Sequence, residues 1–376
     1  MRLNKFFYIA EFNLPSTSAY SIHVLKICDS FSNFFKSNLL IVPYIDNSYN
    51  FKKIKKNYNL KNNFFITSVF RHNRMNFFLR IIFSLKVVGK LFKYKNDKDV
   101  LIYSRSIISS IFLSIFQIKN YLEIHHDLKG LTKFLFFITN TFIFRRNIKF
   151  ILLHRNLLNA VPSLKNNYII LDDGVDIKDF DLYKKNNLKN KKNNTCAYFG
   201  SLSKGKGLEI IFSIAKRMNN IKFDIYTDIT FLDKTVINKF KNVKFFNYVS
   251  YSKVPLLMSK YDVVLMPYQD RVEARSKNLE ISKFMSPLKL FDYLASCKII
   301  IASDLKVYSH ILNNNFNSIL IDHNNIDLWY KKISQVFKSR RKFYYMKINA
   351  YNTAAKYTWD KRVLSIINFY KKKSIY

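Results

Sequence analysis

The sequence predicts an α/β protein of two Rossmann-like domains, each with a parallel sheet, facing one another across a cleft. Three observations carry this. Short β-branched and aromatic runs alternate along the chain with longer segments of helical periodicity, the mark of parallel strands joined by crossover helices. The alternation breaks once, at Lys184–Asn194 (KKNNLKNKKNN), where Leu188 is the single apolar residue; such a segment is too polar to pack and is expected to be a linker. With 376 residues and 49% hydrophobic content, the chain can fill two cores.

In the first half, strands are expected at Phe6–Ile9, Leu39–Val42, Val100–Tyr103, Tyr121–Ile124, Phe150–Leu153 and Tyr168–Leu171. Between the first two, Val24, Ile27, Cys28, Phe31, Phe34 and Phe35 recur at helical spacing, which makes one βαβ unit. In the second half, strands are expected at Cys196–Phe199, Phe223–Tyr226, Val243–Phe246, Val263–Met266, Ile299–Ala302 and Ile319–Ile321, with Ile211, Ile214, Ala215 and Met218 on the core face of the first helix. The domains are therefore 1–183, a linker 184–194, and 195–355. Open parallel sheets bind ligands at the carboxyl ends of their strands, and a cleft between two such sheets is the natural site.

Composition narrows the classes further. The cysteines Cys28, Cys196 and Cys297 are far apart and match no metal spacing, so free thiols in a reducing cytoplasm are expected. The longest apolar stretch, Phe134–Phe144, is interrupted by Thr139, Asn140 and Thr141 and ends on Arg145 and Arg146, which is too short for a spanning helix. Phe6–Phe12 is brief and holds Glu11, so it is expected to be a strand and not a leader.

Charge is the unusual feature. The chain has 63 Lys+Arg against 25 Asp+Glu, a formal net charge of +38. Such an excess attracts nucleic acid, anionic lipid or phosphorylated ligands. A bias towards Lys, Asn, Ile, Phe and Tyr accounts for most of the lysines but not for the shortage of acids. No nucleic-acid motif accompanies the charge and the basic residues are scattered, so nucleic acid is not an expected partner. Phe77–Lys93 (FFLRIIFSLKVVGKLFK) is strongly apolar yet carries Arg80, Lys86, Lys90 and Lys93. It suits either a membrane interface or a core helix with a basic edge.

Two segments carry candidate chemistry. Three of the 6 glycines fall in GSLSKGKG, as Gly200, Gly205 and Gly207, between a strand and a helix. Glycine lets backbone approach a ligand, the helix start offers free N–H groups, and Lys204 and Lys206 add positive charge. An ordinary flexible turn is the alternative, because the loop is neither G-x-G-x-x-G nor a Walker A loop. The second segment runs from Phe284 to Asp304 (FMSPLKLFDYLASCKIIIASD). Pro287 suits a helix first turn and Ser286 its N-cap, with Leu288, Phe291 and Ala295 on the buried face. Lys289 and Asp292 then lie three apart, for a phosphate and a ribose respectively, or as a surface ion pair.

In this order and spacing, the two segments resemble the donor site of family 4 glycosyltransferases of the GT-B fold. The matching residues are Gly200-Ser201-Leu202, Lys206-Gly207, Ser286-Pro287-Leu288-Lys289, Asp292-Tyr293-Leu294-Ala295 and Ala302-Ser303-Asp304, with Val263–Tyr268 (VVLMPY) before the donor loop. In the first half, Asn13–Phe31 resembles the family's opening loop and helix, placing Ser16 and Ala19 beneath a diphosphate or acceptor. Tyr103-Ser104-Arg105-Ser106 resembles a Thr-Arg-Ser type segment that adds Arg105 to that group, and Asp173-Gly174-Val175-Asp176 resembles the family's Asn-Gly-Val-Asp turn. Leu122-Glu123-Ile124-His125 resembles the Glu-x-His that ends a central strand, which makes Glu123 and His125 the candidate catalytic pair; a packed histidine is the alternative. Lys356–Tyr370 is similar to the closing helices, so 356–376 is expected to cross back onto the first domain. The chain departs from the family pattern at Asp292 (Glu in relatives), Phe284 (Glu), Ser201 (Arg), Cys297 (Gly) and Ile299 (Pro).

The resemblance implies a retaining transfer of a hexosyl-type sugar from a nucleoside diphosphate to a hydroxyl on a saccharide or lipid-linked acceptor, in polysaccharide, lipopolysaccharide or glycolipid synthesis. Lys206, Lys289 and two helix starts would stabilise the leaving diphosphate. The nucleotide-sugar is a co-substrate; no cofactor and no metal is expected. The nominal Asp-x-Asp motifs, Asp97–Asp99 and Asp179–Asp181, follow no central strand and are expected to be polar loops. A cytoplasmic protein, peripheral on the inner face of the plasma membrane, would suit the basic charge, with an anionic membrane surface as a further partner. The departures at Asp292 and Ser201 leave a non-catalytic family member as the alternative, and the basic charge leaves a nucleic-acid-binding protein as a less favoured one.

Overall fold

A computed structural model describes residues 3–128, 130–142, 147–159, 167–188, 193–232, 234–237, 239–274 and 279–371. The chain divides into two compact units: Met1–Asp172 together with Trp359–Tyr376, and Asp173–Thr358.

The first unit is built on a parallel sheet of β1 (Leu3–Ile9), β2 (Phe35–Val42), β3 (Phe65–Ser68), β4 (Val100–Ser104), β5 (Asn120–Ile124), β6 (Ile148–Leu152) and β7 (Tyr168–Ile170), in the order β3-β2-β1-β4-β5-β6-β7. The order reverses between β1 and β4, which pair with Tyr8 opposite Tyr103 and Ile9 opposite Ser104. Both faces of β1 are buried, as a central parallel strand requires. Phe7 and Ile9 pack against Phe83, Val87 and Leu91. On the other face, the Phe6 ring stacks on Phe31 at 3.9 Å.

The helices of this unit are α1 (Ala19–Phe31), α2 (Phe51–Tyr58), α3 (Phe77–Leu91), α4 (Ile107–Ile115) and α5 (Gly130–Phe142). The Ser18 hydroxyl caps α1 by accepting from the Ser21 N–H. Phe34 and Phe35, expected on this helix, lie beyond it. The helix ends at Phe31, the Phe34 N–H bonds back to Phe31 O, and Phe35 opens β2, pairing with Leu3. Aromatic residues satisfy helix and strand periods equally, and the turn divides them. Strand β3 went unrecognised because it is a short edge strand whose Phe65 is 72% exposed. Residues 143–146, the end of the expected apolar stretch, lie outside the described residues. Among the described residues, no helix is long and apolar enough to cross a membrane.

The second unit has α6 (Ile177–Leu188) followed by a parallel sheet of β8 (Thr195–Phe199), β9 (Lys222–Tyr226), β10 (Val243–Phe246), β11 (Val263–Met266), β12 (Ile299–Ser303) and β13 (Ile319–Ile321), ordered β10-β9-β8-β11-β12-β13. Here the reversal lies between β8 and β11. Its remaining longer helices are α7 (Leu208–Arg217), α8 (Val254–Met258), α9 (Leu288–Ala295), α10 (Ile326–Lys338) and α11 (Tyr344–Ala354). Ile211, Ile214, Ala215 and Met218 sit in the core as expected, with Trp329 and Ile333 of α10.

Two expectations need correcting in this unit. Asp179–Asp181 is part of α6, not a polar loop, because Phe180 is buried and anchors the helix. The polar run begins inside the same helix: Lys184–Leu188 are helical, and the Asn187 amide donates to Ser296 O at 2.9 Å. Residues 189–192 of that run lie outside the described residues.

The last helix, α12 (Trp359–Lys371), folds with the first unit. Its buried Arg362 donates to the carbonyls of Leu171 and Asp172 and to the Glu123 carboxylate. Removing this side chain leaves a buried carboxylate short of its arginine counterion, and deleting one partner of a buried pair costs about 3–5 kcal/mol. Arg362→Ala is therefore expected to lower the melting temperature clearly in a thermal unfolding experiment. Arg362→Lys, which keeps the charge but not the three-way reach, should fall between.

Candidate functional site

The second unit places its glycine loop at the reversal point of the sheet, after β8 and before α7, where open parallel sheets bind ligands. All three glycines adopt positive φ: +144° at Gly200, +79° at Gly205 and +81° at Gly207. A side chain at Gly205 would strike the Arg271 carbonyl, one at Gly207 the Pro267 carbonyl, and one at Gly200 the Lys289 amine. The loop is thus packed backbone to backbone, with Gln269 N–H on Gly205 O at 2.9 Å and Glu273 N–H on Lys204 O at 3.0 Å. This is a tight, built turn, so the flexible-turn alternative does not hold. Gly207 is also the N-cap of α7 and supplies no side-chain cap, which leaves the first N–H groups of the helix available.

Lys206 and Lys289, from different segments, converge on the same aromatic wall. Lys206 Nζ lies 4.4 Å from the Tyr268 ring centre, and Lys289 Nζ lies 3.7 Å from that of Tyr198 and 5.1 Å from that of Tyr268. Lys289 Nζ is buried and has no hydrogen-bond partner among the described residues, which excludes the surface ion pair with Asp292. Burial depresses both amines: Lys206 to about 8, and Lys289 well below the lysine range, with Lys206 adding repulsion. Two amines held together, with no carboxylate bonded to them among the described residues, gain from an incoming polyanion, which favours their charged forms.

Helix α9 starts one residue later than expected. Pro287 is its N-cap, and the Ser286 hydroxyl instead accepts the Asp173 N–H at 3.0 Å. Ser286 is therefore a tether for the 173–176 turn and not the helix cap; proline has no side-chain acceptor, so the N–H groups of Leu288 and Lys289 open the helix uncapped. Leu288 is only partly buried, whereas Leu290, Phe291, Leu294 and Ala295 are buried, and so are Asp292 and Tyr293. Asp292 Oδ1 accepts the Tyr251 hydroxyl at 2.7 Å. Tyr293 OH accepts the Phe199 N–H at 2.9 Å and so ties α9 to the end of β8. Ser201 presents its carbonyl to the Tyr198 hydroxyl at 2.7 Å. Tyr198 and Tyr251 were missed in the sequence because tyrosine is abundant here and nothing local distinguishes a wall residue from a core one.

In the first unit, Glu123 is a buried hub. Its carboxylate accepts from Tyr8 OH at 3.1 Å, lies within 3.0 Å of His23 Nε2, and bonds Arg362. Burial raises its pKa, but His23, Arg362 and His125 outweigh that and hold the carboxyl well below its usual range. His125 Nε2 is 3.0 Å from Glu123 Oε1 but out of line for a hydrogen bond. Burial and the nearby Arg105 push the His125 imidazole down to about 3, so it is neutral at ordinary pH. His23, Glu123 and His125 place ligand atoms within 4.8 Å of one another, the only such trio among the described residues. The carboxylate is already engaged by Arg362, and Arg105 lies near, so the surroundings disfavour a divalent cation. Ser16 and Ser18 exchange a hydroxyl bond at 2.9 Å before α1, Ala19 is its first residue, and Arg105 follows β4.

Residues 179–353 match the family model described as glycosyl transferases group 1. The chain carries a group 1 glycosyltransferase domain. No curated protein matches the chain. Solved structures similar to it include a glycosyltransferase from Rickettsia africae, 13% identical with TM-score 0.72 over 98% of each chain. Alr3699/HepE of Anabaena, in complex with UDP and glucose, is 13% identical with TM-score 0.68 over 96% of this chain and 99% of that one. WaaG, a glycosyltransferase involved in lipopolysaccharide biosynthesis, is 13% identical with TM-score 0.63 over 96% and 99%. These likenesses show the GT-B fold. The matched segment contains the glycine loop and α9, so the lysine pair lies inside the glycosyltransferase domain.

The lysine geometry gives a pH dependence of definite sign. Lys206 is charged below about 8, so inorganic pyrophosphate should bind the second unit more weakly as pH rises through that value. An anion also raises a depressed amine, so binding should take up protons. Calorimetry in buffers of different ionisation enthalpy is expected to show uptake for the native chain and its loss in Lys206→Ala/Lys289→Ala.

Proposed function

We propose that the protein is a retaining, metal-independent glycosyltransferase that moves a sugar from a nucleoside diphosphate to a hydroxyl acceptor in cell-surface polysaccharide or glycolipid synthesis. The single observation that carries this reading is the convergence of the Lys206 and Lys289 amines on one tyrosine wall, with no carboxylate bonded to either among the described residues, set beside two helix starts in the matched segment. Negative charge grows on the diphosphate as the glycosidic bond breaks, and preoriented cations in a dry site stabilise that charge strongly. Gly200, Ser201 and Gly207 shape the loop, and the N–H groups around Leu288 and Lys289 complete the anion site. Asp292 is assigned to the ribose hydroxyls, with Tyr251 holding the carboxylate in place. His125 lies 3.0 Å from the Glu123 carboxylate, and its neutral imidazole is assigned to the donor sugar. The UDP complexes of Alr3699/HepE support a uridine nucleotide as the first donor to try.

The test is turnover of nucleotide-sugars in the presence and absence of chelator. Lys206→Ala and Lys289→Ala are each expected to reduce turnover by about 10²–10³, the usual cost of removing one transition-state charge contact, with folding retained. Chelator should leave the native rate unchanged. Loss of activity to chelator with rescue by manganese would overturn metal independence, and native rates in both lysine variants would overturn the site.

We further propose peripheral attachment to an anionic membrane. Helix α3 buries Phe83, Val87 and Leu91, yet Phe78 is 66% exposed at its start and Lys86 and Lys90 are exposed further along. Helix α4 packs against both α3 and α5, and α5 exposes Leu131, Phe134 and Phe137. Apolar side chains flanked by cations suit an interface between acyl chains and acidic headgroups. Vesicle co-sedimentation is expected to show binding to phosphatidylglycerol-containing vesicles that weakens with salt; equal binding to neutral vesicles, or none to either, would contradict it.

A further inference from the structure

We infer that the first unit holds a second anion site, centred on Arg105, which receives a phosphate group carried by the acceptor. The inference rests on the transferase reading above and deepens it by naming the acceptor's chemistry.

Arg105 follows β4 at the point where the first sheet reverses its order, the place where such sheets bind ligands. Its backbone N–H bonds Ile9 O at 2.8 Å, which fixes the residue to the end of β1. The guanidinium lies over the Tyr20 ring at 3.9 Å. Its Nη1 is shielded from solvent and has no hydrogen-bond partner among the described residues.

The lack of a partner is not for want of acids nearby. Glu11 and Glu123 both act on Tyr20, as Arg105 does. Each is taken by another arginine: Glu11 Oε2 by Arg80 Nε at 3.1 Å, and Glu123 Oε1 by Arg362. Glu11 also accepts the Ser106 hydroxyl. Among the described residues, the carboxylates of Glu11 and Glu123 are thus engaged by Arg80 and Arg362, and neither bonds Arg105. A buried donor without an acceptor is costly, and a guanidinium presents its donors as a planar fork that matches phosphate oxygens. Tyr20 sits in the first turn of α1, a 13-residue helix, so the positive end of that helix lies beside the same group. The neutral His125 adds no competing charge.

The test uses the full chain and inorganic pyrophosphate as the probe, with UDP as the control. Calorimetry should find two pyrophosphate sites in the native chain and one in Lys206→Ala/Lys289→Ala, and none when Arg105→Gln is added. Arg105→Gln alone should leave UDP binding unchanged. Arg105→Lys keeps the charge without the fork and should weaken the first-unit site about tenfold, a second readout if Arg105→Gln folds poorly. Undiminished pyrophosphate stoichiometry in Arg105→Gln, or no residual site in the lysine variant, would overturn the inference. A parallel loss of UDP binding in Arg105→Gln would assign the group to the donor's diphosphate and overturn the acceptor role. Native UDP binding in the lysine variant would instead count against the transferase reading, leaving the Arg105 result to be read separately.

Discussion

The Glu123 carboxylate is buried among groups drawn from across the first unit. Tyr8 reaches it from β1, His23 from α1, and Arg362 from the last helix of the chain. A carboxylate in such surroundings is tolerable only when paired and hydrogen-bonded, so its partners are constrained as tightly as it is. That constraint engages Arg362, which also takes up the carbonyls of Leu171 and Asp172. Because Arg362 answers Glu123 and Arg80 answers Glu11, Arg105 is left without a carboxylate partner among the described residues.

The second unit follows the opposite principle. Its lysine amines lie over the rings of Tyr198 and Tyr268, which lower the cost of burying their charge without removing it. Desolvation depresses Lys206 and Lys289, and that cost is recovered when an anion enters. The positive-φ glycines serve this arrangement by steric exclusion: a methyl group at Gly200 would displace the Lys289 amine itself. The site and the fold share one origin here, since the reversal between β8 and β11 puts the glycine loop and the Pro267–Tyr268 segment side by side.

Much of this was legible along the chain, for identifiable reasons. Buried parallel strands are continuous apolar runs, so Phe6–Ile9 and Val263–Met266 stood out. Glycine is rare enough here that three in eight residues mark a loop that needs them. Local signals failed where two structures share one pattern. Phe34 and Phe35 fitted a helix until a turn divided them, and Ser286 fitted a cap until its hydroxyl was taken by the Asp173 N–H. Asp179–Asp181 looked polar in one dimension, although Phe180 between them anchors a helix.

What the sequence by itself determined was the alternation of strand and helix, the glycine loop, and the lysines at 206 and 289, because period, backbone freedom and charge are properties of short segments. Only the tertiary structure decided how those charges are partnered. It set Lys289 against Tyr198 and not against Asp292, gave Asp292 to Tyr251, and distributed Glu11 and Glu123 to Arg80 and Arg362, so that Arg105 has no carboxylate among the described residues. Pairing depends on distance across the fold, and residues as far apart as Glu123 and Arg362 meet only when the sheet and the last helix have packed.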